Sequence, residues 1–211
     1  MSISSTYDTN VRDVVEKTNA KLIIKSMLTT QRVQFPAFLT SFSQSWTSSW
    51  NEEEVYGRMD PIATFQSTRR IISVAFDLPA TNVSNARDNL KNCDKLAKFL
   101  YPGYTKQTYK SLKDEEKLAG RIIARPPLVS VKFANLIGGF TKAKKADRGG
   151  QLGYLSGLDW TPVLEMGMYT GAGGKLFPKV ISLSFTLNVL HQADKGFSEG
   201  NKWLSNGFFG T

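Results

Sequence analysis

The chain has 211 residues, of which 41% are hydrophobic and 21% charged, with 27 basic residues against 18 acidic ones for a formal net charge of +9. That length supports one full-sized domain with a core and arms, and the composition is that of a globular chain rather than a disordered one. With a single cysteine, Cys93, and a single histidine, His191, an internal disulfide is impossible, and zinc sites and Cys-His dyads lack ligands.

The first residues, MSISSTYDTN, are polar and read as an N-terminal arm of about 20 residues. They carry neither a basic n-region nor an apolar h-region, so no secretion signal is expected. Val11, Val14 and Val15 have loose helical spacing, and Leu22-Ile23-Ile24 is a short apolar run. A first strand is expected over Lys21–Thr29, with a helix through the whole segment as the alternative. Val33–Gln44 reads as extended, and Pro36 marks an edge strand or a strand start because it has no N–H for a ladder. Trp46–Trp50, with its Ser and Thr filler, is expected to be a turn or bulge. Glu52-Glu53-Glu54 reads as a solvated edge. Tyr56–Ile62 (YGRMDPI) gathers Gly, Asp and Pro, which is turn chemistry.

The clearest early strand follows. Ile72, Val74, Phe76 and Leu78 alternate with Ser73, Ala75 and Asp77, which predicts one buried face and one wetter face, and Pro79 ends the run. The period then changes. Val83, Ala86, Leu90, Cys93, Ala97 and Leu100 recur at spacings of three and four, predicting an amphipathic helix capped by Thr81, Asn82 or Ser84 and closed by Tyr101-Pro102-Gly103. Cys93 lies on the apolar stripe and reads as a core residue rather than a nucleophile.

Gly103–Arg125 is polar and reads as an inserted segment with a short helix in Thr108–Ala119. Leu128–Phe133 is expected as a strand, Gly138–Gln151 as a basic surface loop, and Leu152–Asp159 and Trp160–Met168 as two strands around a turn. Gly171–Gly174 is a second turn. Ile181, Leu183, Phe185, Leu187 and Val189 alternate with polar residues in the best strand of the chain. Ala193–Thr211, with Trp203, Phe208 and Phe209, is expected to dock on the body or on a neighbour. No run of about 18 apolar residues occurs, so no membrane-spanning helix is expected. The order of strands, one helix and more strands predicts a single mainly β (α+β) domain with one flanking helix over residues 1–211.

Motifs for chemistry fail on inspection. GAGGK at Gly171–Lys175 has Tyr169 where a phosphate loop needs glycine and Leu176 where it needs Ser or Thr, and it precedes a strand rather than a helix, so it reads as a hairpin turn. Glu52–Glu54 and Asp114-Glu115-Glu116 sit in charged runs that read as solvated faces rather than acid–base pairs. A Ser-His-Asp triad would have to use His191, and no Gly-x-Ser-x-Gly elbow is present. Asp60 before Pro61 reads as ordering its turn, with Arg58 pairing to it or reaching a neighbouring subunit. Trp46, Trp50 and Tyr56 read as core or interface anchors rather than base-stacking platforms. Lys144 and Lys145, in the Lys142–Arg148 cluster, suit phosphate or an acidic protein patch. No catalytic, cofactor or metal residue is expected, and no enzyme.

The run from FPAFLTSFSQSW through VYGRMDPIATFQSTRRIISVAFDLPA, at Phe35–Ala80, resembles small structural proteins of bacteriophage tails. More narrowly, it is similar to the baseplate and tube-adaptor proteins of contractile tails that share the tail-tube fold, some of which also carry a LysM module; no such module is evident here. The matching features are the aromatic strand near Trp46–Trp50, the Gly57-Arg58…Asp60-Pro61 turn, the strand to Leu78 followed by a helix, and the Lys179–His191 strand. The resemblance covers about two thirds of the chain and leaves Gly103–Arg125 and the aromatic tail unmatched. It implies a tail-tube-like β-sandwich or split barrel. Copies would form a ring, a hexamer, at the tube–baseplate junction of the virion, made in the host cytoplasm. The partners it implies are the chain itself, other tube and baseplate proteins, and DNA passing through the channel without sequence-specific binding. Subunit contacts are then expected from Trp46, Trp50, Tyr56, Arg58, Asp60, Lys144, Lys145, Trp203, Phe208 and Phe209. The rival reading is a basic, β-rich nucleic-acid-binding protein using Trp46, Trp50 and the Lys142–Arg148 loop.

Overall fold

The computed structural model describes residues 21–36, 38–110, 116–134, 136–138, 150–191, 196–199 and 202. The expected N-terminal arm, the Lys142–Arg148 loop and most of the 193–211 tail lie outside the described residues.

Alternating side chains set the strands. β1 (Leu22–Ser26), β2 (Arg32–Phe35), β3 (Phe38–Glu53), β4 (Ile62–Pro79), β7 (Val129–Phe133), β8 (Gln151–Pro162) and β11 (Val180–Val189) form one antiparallel sheet in the order β2-β1-β7-β8-β11-β4-β3. β1, β7 and β11 bury every second residue, as does β4 from Arg70 to Leu78, which is the period-two pattern of a sheet with one covered face. β5 (Gly103–Lys110) pairs with β6 (Glu116–Arg125), and β9 (Met168–Thr170) with β10 (Leu176–Pro178).

Connectivity forces the large sheet to curl. β2 and β3 are its two opposite edges, yet only two residues separate Phe35 from Phe38. Three Cα steps reach at most about 11 Å, so the two edges come close at that end and the sheet must curl. The rings of Phe35 on β2 and Phe76 on β4 accordingly meet across the interior, with centroids 5.6 Å apart, and Phe76 meets Phe185 at 6.3 Å. Pro36 sits in the link between the two edge strands, where a missing N–H costs no ladder bond.

Helix α1 (Val83–Lys98) covers the rolled face. Asn82 caps it, accepting from the Asn85 N–H at 2.8 Å, while Thr81 Oγ1 accepts from the Asn85 side chain. Its buried residues are Ala86, Cys93 and Leu96, followed by Phe99 at the cap. The buried stripe is therefore rotated from the expected one: Ala97 is exposed and Leu96 is in the core, because the helix meets β2, β9 and β10 rather than the centre of the sheet. Phe76, Leu78, Ile24, Val131, Leu183 and Leu96 belong to one continuous cluster. Burying each large apolar side chain contributes about 1.5–3 kcal/mol, so this cluster is the main source of stability.

Three expectations are corrected. The described residues of Thr108–Ala119 are not helical: 108–110 belong to β5 and 116–119 to β6, two paired strands whose Tyr and Thr content favours a pleated ribbon over a helix. Leu152–Asp159 and Trp160–Met168 are not two strands around a turn. β8 runs unbroken to Pro162, because its ladder to β11 holds from Gly153 to Pro162 across one bulge. Trp46–Trp50 is no turn either; it lies within β3, with a register shift between Ser49 and Trp50. The GAGGK segment is the turn of the β9/β10 hairpin. Gly173 and Gly174 there have φ of 74° and 73°, a region that glycine enters without steric cost.

Candidate functional site

β3 and β4 outrun the sheet. β11 pairs with β4 only as far as Ile71, but the β3/β4 ladder continues from Trp46↔Arg70 to Glu53↔Ile62. Residues 62–70 of β4 therefore have β3 as their sheet partner. At about 3.4 Å per residue this two-stranded arm stands about 30 Å beyond the sheet. Its tip is the Tyr56-Gly57 turn, closed by the Arg58 N–H to the Val55 carbonyl at 3.2 Å, with Gly57 at φ 84°.

The arm is rooted by a buried polar cluster. Arg70 is 3% exposed. Its guanidinium donates to Gln44 Oε1 from Nε at 3.1 Å and from Nη2 at 2.6 Å, and to Gln151 Oε1 from Nη1 at 3.4 Å. Gln44 Nε2 in turn donates to the Leu136 carbonyl at 3.2 Å. The guanidinium also lies 5.5 Å from the Trp46 ring. Burial lowers the Arg70 pKa, since desolvation disfavours the charged form. This cluster ties β3, β4 and β8 together where the arm leaves the sheet.

Farther out, Trp50 and Phe65 meet edge to face with centroids 5.3 Å apart, a cross-strand pair that steadies a ribbon too thin to have a core. Both stay about half exposed, and Tyr56 and Met59 at the tip are fully exposed. The outer edge of β3 meets no strand among the described residues. Its sequence, FLTSFSQSWTSSWNEE, contains no Lys or Pro of the kind that blunts a sheet edge, although two register shifts interrupt it. The β5/β6 hairpin is a second two-stranded ribbon, with Tyr104, Ile122 and Ile123 exposed.

The expected contact residues divide accordingly. Trp46 stands at the root of the arm, Trp50 along it, and Tyr56, Arg58 and Asp60 at its tip. Among the described residues no ion pair joins Arg58 to Asp60. Lys144, Lys145, Trp203, Phe208 and Phe209 lie outside the described residues. Sequence reasoning missed Met59, Phe65 and the exposed residues of β5/β6; the Tyr and Thr content of Gly103–Lys110 was the available signal.

A basic cleft was also missed. Lys25, Arg32 and Lys132 surround Ile23 on the outer face of β2, β1 and β7, in a hollow of about 400 Å³. An apolar groove of about 260 Å³ runs between Phe99, Pro127 and Tyr154. Cys93 is buried and its thiol is pushed up to about 11, chiefly by desolvation and against a side-chain hydrogen bond with Trp160. His191 is exposed just past β11. Among the described residues no cluster of His, Cys, Asp and Glu could hold a metal, and no helix is long and apolar enough to cross a membrane. No family model matches the chain, and no curated protein matches it.

Proposed function

We propose that this chain is a structural virion protein of a phage tail, one subunit of a ring at the junction of tail tube and baseplate, acting by shape rather than by chemistry. The observation that carries the reading is the β3/β4 arm: about 30 Å of two-stranded ribbon with exposed Trp50, Phe65, Tyr56 and Met59. Such a ribbon is marginal in water, and large exposed apolar groups mark contact surfaces. The long open edge of β3 is an aggregation hazard in a monomer and a joint in an assembly.

A second feature suits a passage for DNA. The outer face where β3, β4, β11 and β8 meet presents Ser41, Ser73, Ser184 and Thr186 beside Asp159. Ser184 Oγ donates to Asp159 at 3.0 Å and Ser182 Oγ to Asp77 at 2.6 Å. The Asp77 and Asp159 carboxylates repel phosphate and take up the Ser182 and Ser184 hydroxyls as acceptors, which suits a surface that DNA passes without being held.

Native mass measurement and electron microscopy of the purified chain and its parent particle test the proposal. Rings, or density for the chain at the tube–baseplate junction, are expected. A stable monomer that never enters a particle would sink it.

A further inference from the structure

We propose that the acidic tip of the β3/β4 arm of one copy docks at the foot of the β5/β6 ribbon of the next copy, an inference that rests on the ring reading above. The tip carboxylates meet Lys106, Arg121 and Arg125, and an exposed tip side chain, Tyr56 or Met59, enters the apolar groove beside Pro126.

The two surfaces are complementary in charge. From Asn51 to Pro61 the tip holds four carboxylates (Glu52, Glu53, Glu54, Asp60) against one guanidinium (Arg58), a net of −3 in a chain whose total is +9. Residues 103–125 are the reverse, with six cations against three carboxylates, a net of +3. Those carboxylates all fall at 114–116, so the foot of the ribbon, residues 103–106 and 120–125, holds three cations and no carboxylate. Register gathers them. Tyr104 pairs with Ile123 and Lys106 with Arg121. Residues two apart on a strand share a face, so these four lie on one face of the ribbon, and all four are exposed. Lys106 and Arg121 stand directly opposite each other, which like charges disfavour and an anionic partner relieves. Among the described residues, no hydrogen bond or ion pair engages the side chains of Lys106, Arg121 and Arg125, nor any carboxylate of the tip.

Apolar groups match as well. Leu100 lies three residues before Gly103, and Pro126 directly follows Arg125, so the groove opens where the ribbon joins the body. Leu100, Pro127, Leu128 and Tyr154 help to line it, and among the described residues it has no charged wall. Its volume of about 260 Å³ takes one large side chain. Tyr56 and Met59 are fully exposed between Glu54 and Asp60. An aromatic or methionine anchor seated in an apolar pocket, with charges around it, is where interfaces concentrate their energy.

Geometry makes the contact intermolecular. Within one copy no arm residue lines the groove, and the two ribbons do not pack extensively on each other. Tip and foot are different patches, so the contact is head-to-tail. Repeated, it closes a ring where the rotation closes and makes a filament where it does not. Exposed ion pairs are weak and screened by salt; here they set register and direction, and the anchor supplies the attraction.

The test is charge reversal with rescue, read as the self-association constant by sedimentation and native mass spectrometry. Glu52→Lys/Glu53→Lys/Glu54→Lys on the tip, and separately Lys106→Glu/Arg121→Glu/Arg125→Glu on the ribbon, should each weaken association by about tenfold or more, with far-ultraviolet circular dichroism unchanged. Combining both sets should restore association to within about threefold of wild type. Tyr56→Ser/Met59→Ser should weaken it by about tenfold with no rescue from the ribbon reversal. Association that ignores the reversals, or a combination no better than its worse parent, overturns the docking while leaving the ring reading intact. A wild-type chain that stays monomeric overturns both. Loss of binding to a short DNA duplex in Lys106→Glu/Arg121→Glu/Arg125→Glu, with self-association unchanged, assigns the ribbon to nucleic acid and overturns the docking.

Discussion

Arg70 shows how much one residue decides. It is the continuation of the Ile72–Leu78 alternation, two residues earlier and on the inner face, so its charge is carried into the protein at the place where the sheet gives way to the arm. The fork of guanidinium N–H groups reaches Gln44 and Gln151 at once; a lysine amine has neither the planarity nor the span. Arg70→Lys is expected to cost about 1–3 kcal/mol in urea unfolding, because buried amide oxygens lose charge-assisted bonds. The same change should speed hydrogen exchange in residues 45–70 more than in β11. Cys93 gives a pH-dependent counterpart. Its folded thiol is raised to about 11 from an ordinary 9.0, so the folded state binds the proton more tightly than the unfolded one. That contribution is intact below pH 9 and is lost as the pH rises towards 11. Thiol labelling at pH 8 should therefore be far slower in the native protein than in urea, whereas Cys93→Ala should leave stability between pH 8 and 11 flatter than in wild type.

At the scale of elements, the arm and the body obey different rules. The body strands are held by a shared core; the arm is held by its ladder, its root and the Trp50–Phe65 pair. Trp50→Ala should remove about 0.5–1.5 kcal/mol of local ribbon stability, seen as faster exchange of amides 50–65, with the midpoint of global thermal unfolding nearly unchanged. β8 contains a contrasting position. Gly153 pairs with Val129 on β7 and with Val189 on β11, and it is where β8 leaves the first neighbour and follows the second. A Cβ there would collide with the Asn188 carbonyl and crowd Leu187. Gly153→Ala should cost about 2 kcal/mol or more in global stability, since backbone, unlike a side-chain tip, gives way only by shifting a strand.

For the whole molecule, the curl of the sheet separates what is needed to fold from what remains for contact. The core cluster draws on β1, β2, β4, β7, β11 and α1, and none of its buried members lies between Ser45 and Arg69. Replacing residues 47–69 by a tight Asn-Gly turn, with the Trp46–Arg70 pair kept, should therefore leave a folded body whose melting midpoint falls by no more than a few degrees. The same truncation should abolish self-association in sedimentation. A truncated chain that fails to fold would show that the arm belongs to the core's cooperative unit; one that still assembles would show that β5/β6 or the β3 edge carries the contact.

Sequence by itself determined those parts whose reasons are local. The alternation of Ile72–Leu78 and Ile181–Val189, the Asn82 cap and the glycine turn at Gly171–Gly174 stand in the structure as read, and the three-and-four spacing through Cys93 located the helix though not its exact buried face, because period and turn chemistry act within a few residues. The Gly57 turn was legible for the same reason. What only the tertiary structure decided depends on which strand lies beside which. Trp46–Trp50 looks like a turn in isolation, since Ser and Thr between tryptophans carry no clean period, yet pairing with Arg70–Phe65 holds it extended. Gly103–Arg125 hid a pair of strands because a segment so rich in polar and charged residues lacks the alternation that betrays a strand. Whether Trp50 and Tyr56 would be inside or outside turned on one distant fact, that β11 stops pairing at Ile71 while β3 and β4 continue. Lys25, Arg32 and Lys132 are scattered over more than a hundred residues of chain, and only register brings them around one cleft.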